Sequence, residues 1–166
     1  MKIELVQQFA TDADTFWKTF FDEEYNEALF RDGIKAKERI LLSSDETDER
    51  IERRVRVTPD EDVPAAVQKL IGGDTTYIEH TTHRKGSNEA HVTVEMQADR
   101  LKSKFSFTSV IRTEPDGTGI KRTLAGELKV KIPLMGGTIE KHVAEGLRRN
   151  DVKAAEFMKN WLTSHS

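Results

Sequence analysis

Hydrophobic and polar residues alternate along most of the chain, and this two-residue period predicts β-strands. The first alternating segment, KIELVQQF, predicts an opening strand at residues 2–9. The remaining predicted strands cover residues 34–44, 50–59, 74–84, 89–98, 103–113 and 119–132. The segments RKGSN and EPDGTG, which separate neighbouring strands, are rich in turn-forming residues and predict hairpins. Consecutive strands joined by short turns indicate a meandering antiparallel sheet.

Two short helices are predicted between the first two strands. Thr11 or Asp12 can cap the first helix, and Gly33 can end the second one. Apolar residues at helical spacing form one face on these helices: Phe16, Trp17, Phe20, Phe21, Tyr25, Leu29 and Phe30. Because aromatic stripes on helices usually pack in a core, we interpret Phe16, Trp17, Phe20 and Phe21 as structural.

Two later segments change from strand periodicity to helix periodicity. In residues 63–73, VPAAVQKLIGG, Pro64 suits the first helical position and the two glycines suit the end of a helix. Residues 138–163 carry an apolar stripe at three- and four-residue steps almost to the end of the chain. A helix of that length spans about 39 Å at 1.5 Å per residue. It is therefore long enough to cross the whole face of the predicted sheet.

Composition narrows the functional classes. The 166 residues include 26 basic and 29 acidic side chains, so no basic surplus points to nucleic acid. The chain has no cysteine, which excludes disulfides and a cysteine nucleophile. The first ten residues lack the apolar stretch of a signal peptide, and no apolar run is long enough to span a bilayer. We therefore expect a cytoplasmic protein without stable membrane insertion.

Two motifs carry a resemblance to a known superfamily. They are VPAAVQKLIGGD at residues 63–74 and VKIPLMGGTIEKHVAEGL at residues 130–147, where the last strand meets the long helix. With the order of elements, they resemble an uncharacterised bacterial START-like branch of the START/Bet v 1-like (SRPBCC) superfamily, over essentially the whole chain. The resemblance implies an α+β helix-grip fold, in which a seven-stranded antiparallel sheet wraps on a long C-terminal helix, with two short helices after strand 1. It also implies that residues 1–166 form a single START-like ligand-binding domain.

Strand parity selects the side chains expected to face the long helix. On the second strand it predicts that Glu38 and Ile40 point inward. Across the sheet and the last helix, the predicted ligand contacts are Arg53, Tyr77, Glu79, Val94, Met96, Phe105, Phe107, Ser109, Arg122, Leu124, Val143, Leu147, Asn150 and Phe157. The charged members must be paired or bind a ligand, because burying an unpaired charge is costly. They form either a structural ion-pair cluster or an anchor in which Arg53 and Arg122 hold a carboxylate or phosphate.

Three functions remain open. The resemblance favours a protein that binds or carries a hydrophobic, lipid-like small molecule between the sheet and the long helix. The alternative is an enzyme of the polyketide cyclase or dehydratase type that uses Arg53, Glu79 or Arg122. The third is a protein-interaction role. We assign no catalytic residue and no cofactor, and we predict no metal site because His80 and His83 point to opposite faces of one strand. Ligand identity and oligomeric state are not predicted.

Overall fold

Seven strands form one antiparallel sheet in the computed structural model, which describes residues 1–166. The strands are β1 (Lys2–Phe9), β2 (Glu38–Glu46), β3 (Arg50–Thr58), β4 (Tyr77–Arg84), β5 (Glu89–Met96), β6 (Phe105–Asp116) and β7 (Gly119–Val130). Their spatial order is β1-β7-β6-β5-β4-β3-β2. Strands β2 to β7 therefore form the predicted meander, and β1 joins it by pairing with β7.

Five helices accompany the sheet. They are α1 (Ala13–Phe21), α2 (Glu23–Ala28), α3 (Ala65–Ile71), α4 (Asp99–Lys102) and α5 (Gly136–Ser164), and a π-helical turn at Leu29–Gly33 continues α2. Asp12 caps α1, because its Oδ1 atom accepts a hydrogen bond of 2.7 Å from the backbone N–H of Thr15. This bond also lowers the pKa of the Asp12 carboxyl group. The order of elements confirms the predicted α+β helix-grip fold.

Some boundaries differ from the prediction. Strand β2 begins at Glu38 rather than at residue 34, because the chain leaves the π-helical turn through Lys35, whose φ of 61° interrupts extended backbone. Strand β4 begins at Tyr77 rather than at residue 74. The short helix α4 occupies the segment after β5 that the sequence indicated only as a weak turn.

The predicted inward face of β2 was wrong. Arg39, rather than Glu38 or Ile40, shares the inner face, since it lies opposite Val57 of β3 and its side chain is only 6% exposed. The error has a physical reason: the stem of an arginine can pack in an apolar layer while its head group is paired. Here the guanidinium group of Arg39 donates hydrogen bonds to both carboxylate oxygens of Glu23, and the bond from Nη2 to Oε2 is 3.3 Å long.

The buried apolar residues form two separate clusters between α5 and the sheet. The first joins Leu128 and Met96 of the sheet to Val67 of α3 and Ile139 of α5. The second joins the aromatic residues of α1 and α2 to the opposite end of the sheet and to Met158 near the end of α5. Helix α5 therefore packs on both clusters and crosses the space between them.

Candidate functional site

A cavity of about 370 Å³ lies between the inner face of the sheet and α5. Thirty-eight residues line it, of which 25 are hydrophobic. The wall includes strands β3 to β7, α5, α3 and residues of the segment between β3 and α3. The cavity therefore occupies the region between the two apolar clusters.

The sheet contributes an apolar floor because inward-facing residues alternate with outward-facing ones. Val94 of β5 lies directly opposite Phe107 of β6, and Phe107 lies opposite Leu128 of β7. Val94 and Phe107 line the cavity, as do the neighbouring floor residues Met96, Phe105 and Leu124. Val143 and Leu147 of α5 face them from the other side. A ligand in this space would meet hydrophobic side chains on two opposed surfaces.

One charged pair lies in the cavity wall. Arg122 Nη1 donates a hydrogen bond of 2.6 Å to Asp151 Oδ1, and the two side chains are 9% and 10% exposed. The second carboxylate oxygen of Asp151 accepts a bond of 3.0 Å from Gln7 Nε2. Asp151 therefore balances the charge of Arg122, although the other N–H groups of this arginine make no hydrogen bond to the protein.

Arg53 is buried in a different way. Its guanidinium group makes one hydrogen bond, 3.2 Å from Nη1 to the backbone oxygen of Phe20, and the buried Nε makes none. The group also lies 5.4 Å from the ring centre of Phe20 and 5.1 Å from that of Phe21. Burial lowers the pKa of Arg53, and the nearby Glu79 carboxylate opposes this effect. Arg53 is therefore fixed in position but only partly bonded.

Two hydroxyl groups on the same row of the sheet are also without a hydrogen bond. Arg53 lies opposite Thr81, Thr81 opposite Val92, and Val92 opposite Ser109 in successive strand pairs. Thr81 Oγ1 and Ser109 Oγ are buried and make no hydrogen bond to another protein atom. Arg53, Val92 and Ser109 line the cavity. This polar row (Arg53, Thr81 and Ser109) crosses the sheet at the cavity, where Arg53 and Ser109 contribute to the wall and Thr81 does not.

The segment before α3 meets α5 at the cavity wall. Asn150 Nδ2 donates a hydrogen bond of 3.4 Å to Glu61 Oε1, and the Glu61 carboxylate lies against Gly146, where a Cβ would come within 3.2 Å of Oε2. Tyr77 lines the same cavity, and burial, with the negative charges of Glu79 and Glu61, raises the pKa of its hydroxyl group. A polar contact thus joins the segment before α3 to α5 beside the cavity.

All but one of the residues predicted as ligand contacts line the cavity. Phe157 is the exception: its ring lies 5.9 Å from that of Tyr25 and 6.3 Å from that of Trp161, within the second apolar cluster. The helical period gives the direction of Phe157 but not what lies opposite it. At that point on α5, α2 and the π-helical turn fill the space.

Several lining residues were missed by the sequence analysis. They are Tyr25, Arg39, Glu61, His142, Asp151 and Met158. Asp151 and Met158 lie on the predicted helix next to Asn150 and Phe157, so a wider helical face would have included them. Arg39 was lost through the parity error in β2, and no local pattern marks Glu61.

Two further properties bear on the class of site. No group of three or more His, Asp or Glu side chains is arranged so that it could hold a metal ion. None of the helices combines the length and the apolar character needed to cross a bilayer.

The fold and the sequence were compared with those of known proteins. A family model described as "Protein of unknown function (DUF2505)" matches residues 4–162. No curated protein sequence matches the chain. A solved structure of a START superfamily protein from Mycobacterium smegmatis is similar with a TM-score of 0.60 and 16% identity, over 99% of each chain.

Two enzymes have similar structures. The Zhui aromatase/cyclase from a Streptomyces species has a TM-score of 0.63 and 12% identity, over 96% of this chain and 92% of that one. Norcoclaurine synthase from Thalictrum flavum, in complex with dopamine and hydroxybenzaldehyde, has a TM-score of 0.67 and 14% identity, over 100% of this chain and 88% of that one. At these identities the similarity concerns the fold alone, and it confirms that the chain has the START/Bet v 1-like helix-grip fold.

Proposed function

We propose that this chain, which belongs to the DUF2505 family of proteins of unknown function and has the START-like helix-grip fold, binds an apolar, lipid-like small molecule between its sheet and α5. The observation that carries the proposal is the cavity of about 370 Å³ with its mainly hydrophobic wall. Pockets of this size and character are typical of small-molecule sites. The cavity-lining residues predicted from the sequence are the proposed ligand contacts, and residues 1–166 act as one ligand-binding domain.

Apolar contact alone supports useful affinity. Burying about 300 Å² of apolar ligand surface at roughly 25 cal/mol per Å² contributes a gross 7 to 8 kcal/mol. The loss of translational and rotational freedom reduces this value. Met96, with its flexible thioether, adapts the floor to ligands of different shape. We therefore expect micromolar binding of hydrophobic molecules without a required polar contact.

Two of the three charged side chains that the alternative enzyme of the polyketide cyclase or dehydratase type would use are bonded within the protein. Arg122 bonds Asp151, and Arg53 bonds the Phe20 backbone. Glu79 lines the cavity and forms no ion pair, so it is the group that could serve that enzyme as the acid or base near the substrate. Turnover of an acyl or polyketide substrate that Glu79→Gln abolishes, while binding persists, would replace the binding function by the enzymatic one.

Filling the cavity tests the proposal. Val94→Trp places an indole ring in the cavity, and Thr93→Trp places the same ring on the exposed face of the same strand. We expect wild type and Thr93→Trp to bind the neutral fluorophore phenylnaphthylamine, and Val94→Trp to bind it at least about tenfold more weakly, since the space is occupied. Circular dichroism checks that each variant is folded, and Leu124→Phe is a smaller filling change.

Failure of wild type to bind the fluorophore, or equal binding by both tryptophan variants, would contradict the proposed site. If the site is confirmed, native mass spectrometry of protein purified from its own host, followed by organic extraction, identifies the natural ligand.

A further inference from the structure

We propose that the cavity selects ligands that carry a neutral carbonyl oxygen, as in a ketone or an ester, and that this oxygen accepts a hydrogen bond from Arg53. The inference rests on the proposed function, because it assigns the chemistry of a ligand bound in the same cavity. It is carried by the partly bonded Arg53 side chain, the polar row beside it and the balance of charge in the wall.

Arg53 presents donors that the protein does not use. A guanidinium group has five N–H donors, yet only Nη1 of Arg53 makes a hydrogen bond to the protein. The side chain is buried and lines the cavity, and its Nε is among the few buried polar atoms without a partner. Because leaving a buried donor unpaired is unfavourable, an acceptor on the ligand would be stabilised here.

The donor is also held in one orientation. The bond to the Phe20 backbone oxygen fixes one end of the guanidinium group, and the rings of Phe20 and Phe21 pack near it. A donor that is already ordered loses little conformational entropy when it binds. Arg53 therefore favours a ligand oxygen at one place in the cavity over oxygens elsewhere on the molecule.

Ser109 extends the same polar row. Its buried hydroxyl group lines the cavity and makes no hydrogen bond to the protein, two strands beyond Thr81 on the floor. A hydroxyl group can donate or accept, so a second oxygen on a longer ligand would be accommodated there. Between Thr81 and Ser109 lies Val92, which suits the hydrocarbon that joins two such oxygens.

The balance of charge selects a neutral oxygen rather than a carboxylate. Three arginines line the cavity, and so do three carboxylates: Arg39, Arg53, Arg122, Glu61, Glu79 and Asp151. A carboxylate ligand would add an uncompensated negative charge to a buried site, which is costly. Glu79 already acts on Arg53 through space, and it would repel a second carboxylate at the same place. A carbonyl oxygen accepts the hydrogen bond without this repulsion.

Three matched ligands test the inference: the ketone hexanoylnaphthalene, the hydrocarbon hexylnaphthalene and the carboxylate 6-naphthylhexanoate. We expect wild type to bind the ketone about tenfold more tightly than the hydrocarbon, the scale of one hydrogen bond to a charged donor, and to bind the carboxylate more weakly than the ketone. Arg53→Met should bind ketone and hydrocarbon equally. Arg54→Met, which removes an exposed arginine from the same strand, should keep the tenfold preference.

A second variant and a second readout separate a direct contact from a change in folding. Arg53→Lys keeps the positive charge but lacks the planar set of donors, so it too should lose most of the preference for the ketone. The carbonyl stretching band of bound hexanoylnaphthalene should move to lower frequency in wild type, relative to the ketone in hydrocarbon solvent, and should not do so in Arg53→Met or Arg53→Lys.

The outcomes are distinguishable. If neither hexylnaphthalene nor hexanoylnaphthalene binds to wild type, the proposed function itself fails. If ketone and hydrocarbon bind equally to wild type, the cavity binds apolar ligands but the carbonyl inference is wrong. If the carboxylate binds most tightly and Arg53→Met abolishes that preference, Arg53 selects an anion and the inference is also overturned.

Discussion

Single residues in the cavity wall differ in how far the protein neutralises their charge. Arg122 has a carboxylate partner at 2.6 Å, whereas Arg53 has a backbone oxygen, two aromatic rings and the more distant Glu79. The Arg122–Asp151 pair therefore acts as part of the structure. Arg53 has no such partner, and its buried Nε makes no hydrogen bond to the protein.

The buried pair gives a test of this distinction. Asp151→Asn leaves Arg122 without a counter-charge, so we expect the free energy of unfolding to fall by about 3 kcal/mol, the scale for breaking a buried ion pair. Urea denaturation measures the change. The double variant Arg122→Met with Asp151→Leu removes both charges and should lose clearly less stability than Asp151→Asn. An Asp151→Asn protein as stable as wild type would show that Asp151 does not compensate Arg122.

Strand parity was a good guide to single residues where strands were long and regular. It placed Arg53, Phe107 and Ser109 on the inner face, because side chains alternate strictly along β3 and β6. It failed on β2, where the strand starts late and a bulge lies between Leu41 and Ser43. The partners of the charged residues were not predictable, since Asp151 is 29 positions from Arg122 and no local pattern joins them.

Among the elements, α3 and the segment before it differ most from the rest of the wall. Helix α5 runs over 29 residues and packs on both apolar clusters. Helix α3 has only seven residues, and residues 59–64, between β3 and α3, belong to no helix or strand. The contact of Glu61 with Asn150 is a long hydrogen bond between polar side chains. The segment before α3 is thus joined to α5 by this one long hydrogen bond.

We expect residues 59–71 to exchange their amide hydrogens faster than the middle of α5 in the ligand-free protein, because α3 has only seven residues and can open without disturbing the sheet or α5. Phenylnaphthylamine should slow that exchange, since Val63, Val67 and Ile71 line the cavity. Hydrogen–deuterium exchange followed by mass spectrometry measures both rates. Exchange that is equally slow in the two regions and unaffected by the fluorophore would leave α3 as a static cover.

The order and type of the longer elements were predictable, and the packing between them was not. Helical spacing in residues 138–163 predicted α5 to within two residues at its start and one at its end. The helical spacing could not show that α2 and the π-helical turn face Phe157. Gly33 of that turn lies so close to Phe157 that a Cβ at this position would be 3.1 Å from the phenylalanine ring. The four-residue helix α4 is too short to produce a helical period.

At the scale of the molecule, each of the two apolar clusters contains or contacts one tyrosine, whose ionisation shows whether water reaches that cluster. The chain has two tyrosines: Tyr25 belongs to the second cluster and Tyr77 packs against the first. Burial raises the pKa of both hydroxyl groups above the ordinary value of 10.0. The folded state therefore favours the neutral form at both ends of the cavity.

This arrangement predicts the response to alkali. Below pH 10.0, the ordinary pKa of a tyrosine, the two hydroxyl groups make their full contribution to the stability of the folded state. Because the unfolded chain ionises first, this contribution is lost as the pH rises through the raised pKa values of the folded state. Near-ultraviolet absorbance should show little tyrosinate at pH 10.0 in the folded protein and about half ionisation in urea. Tyr25→Phe and Tyr77→Phe assign each signal. Ionisation of one tyrosine in the folded protein at its ordinary pKa would show that its cluster admits water.

The pairing of β1 with β7 has a consequence for biosynthesis. Lys2 lies opposite Glu127 and Phe9 opposite Ile120, and the amino group of Met1 bonds the backbone oxygen of Leu128, 127 positions away. On the ribosome, β1 must therefore wait until all six other strands of the sheet have followed it. The hairpins from β2 to β7 can form locally as the chain lengthens, but Ile3 and Leu5 stay without their partners until β7 is released. The sheet is completed last with the strand that was made first, and until then β1 is an unpaired apolar segment on which a chaperone can act.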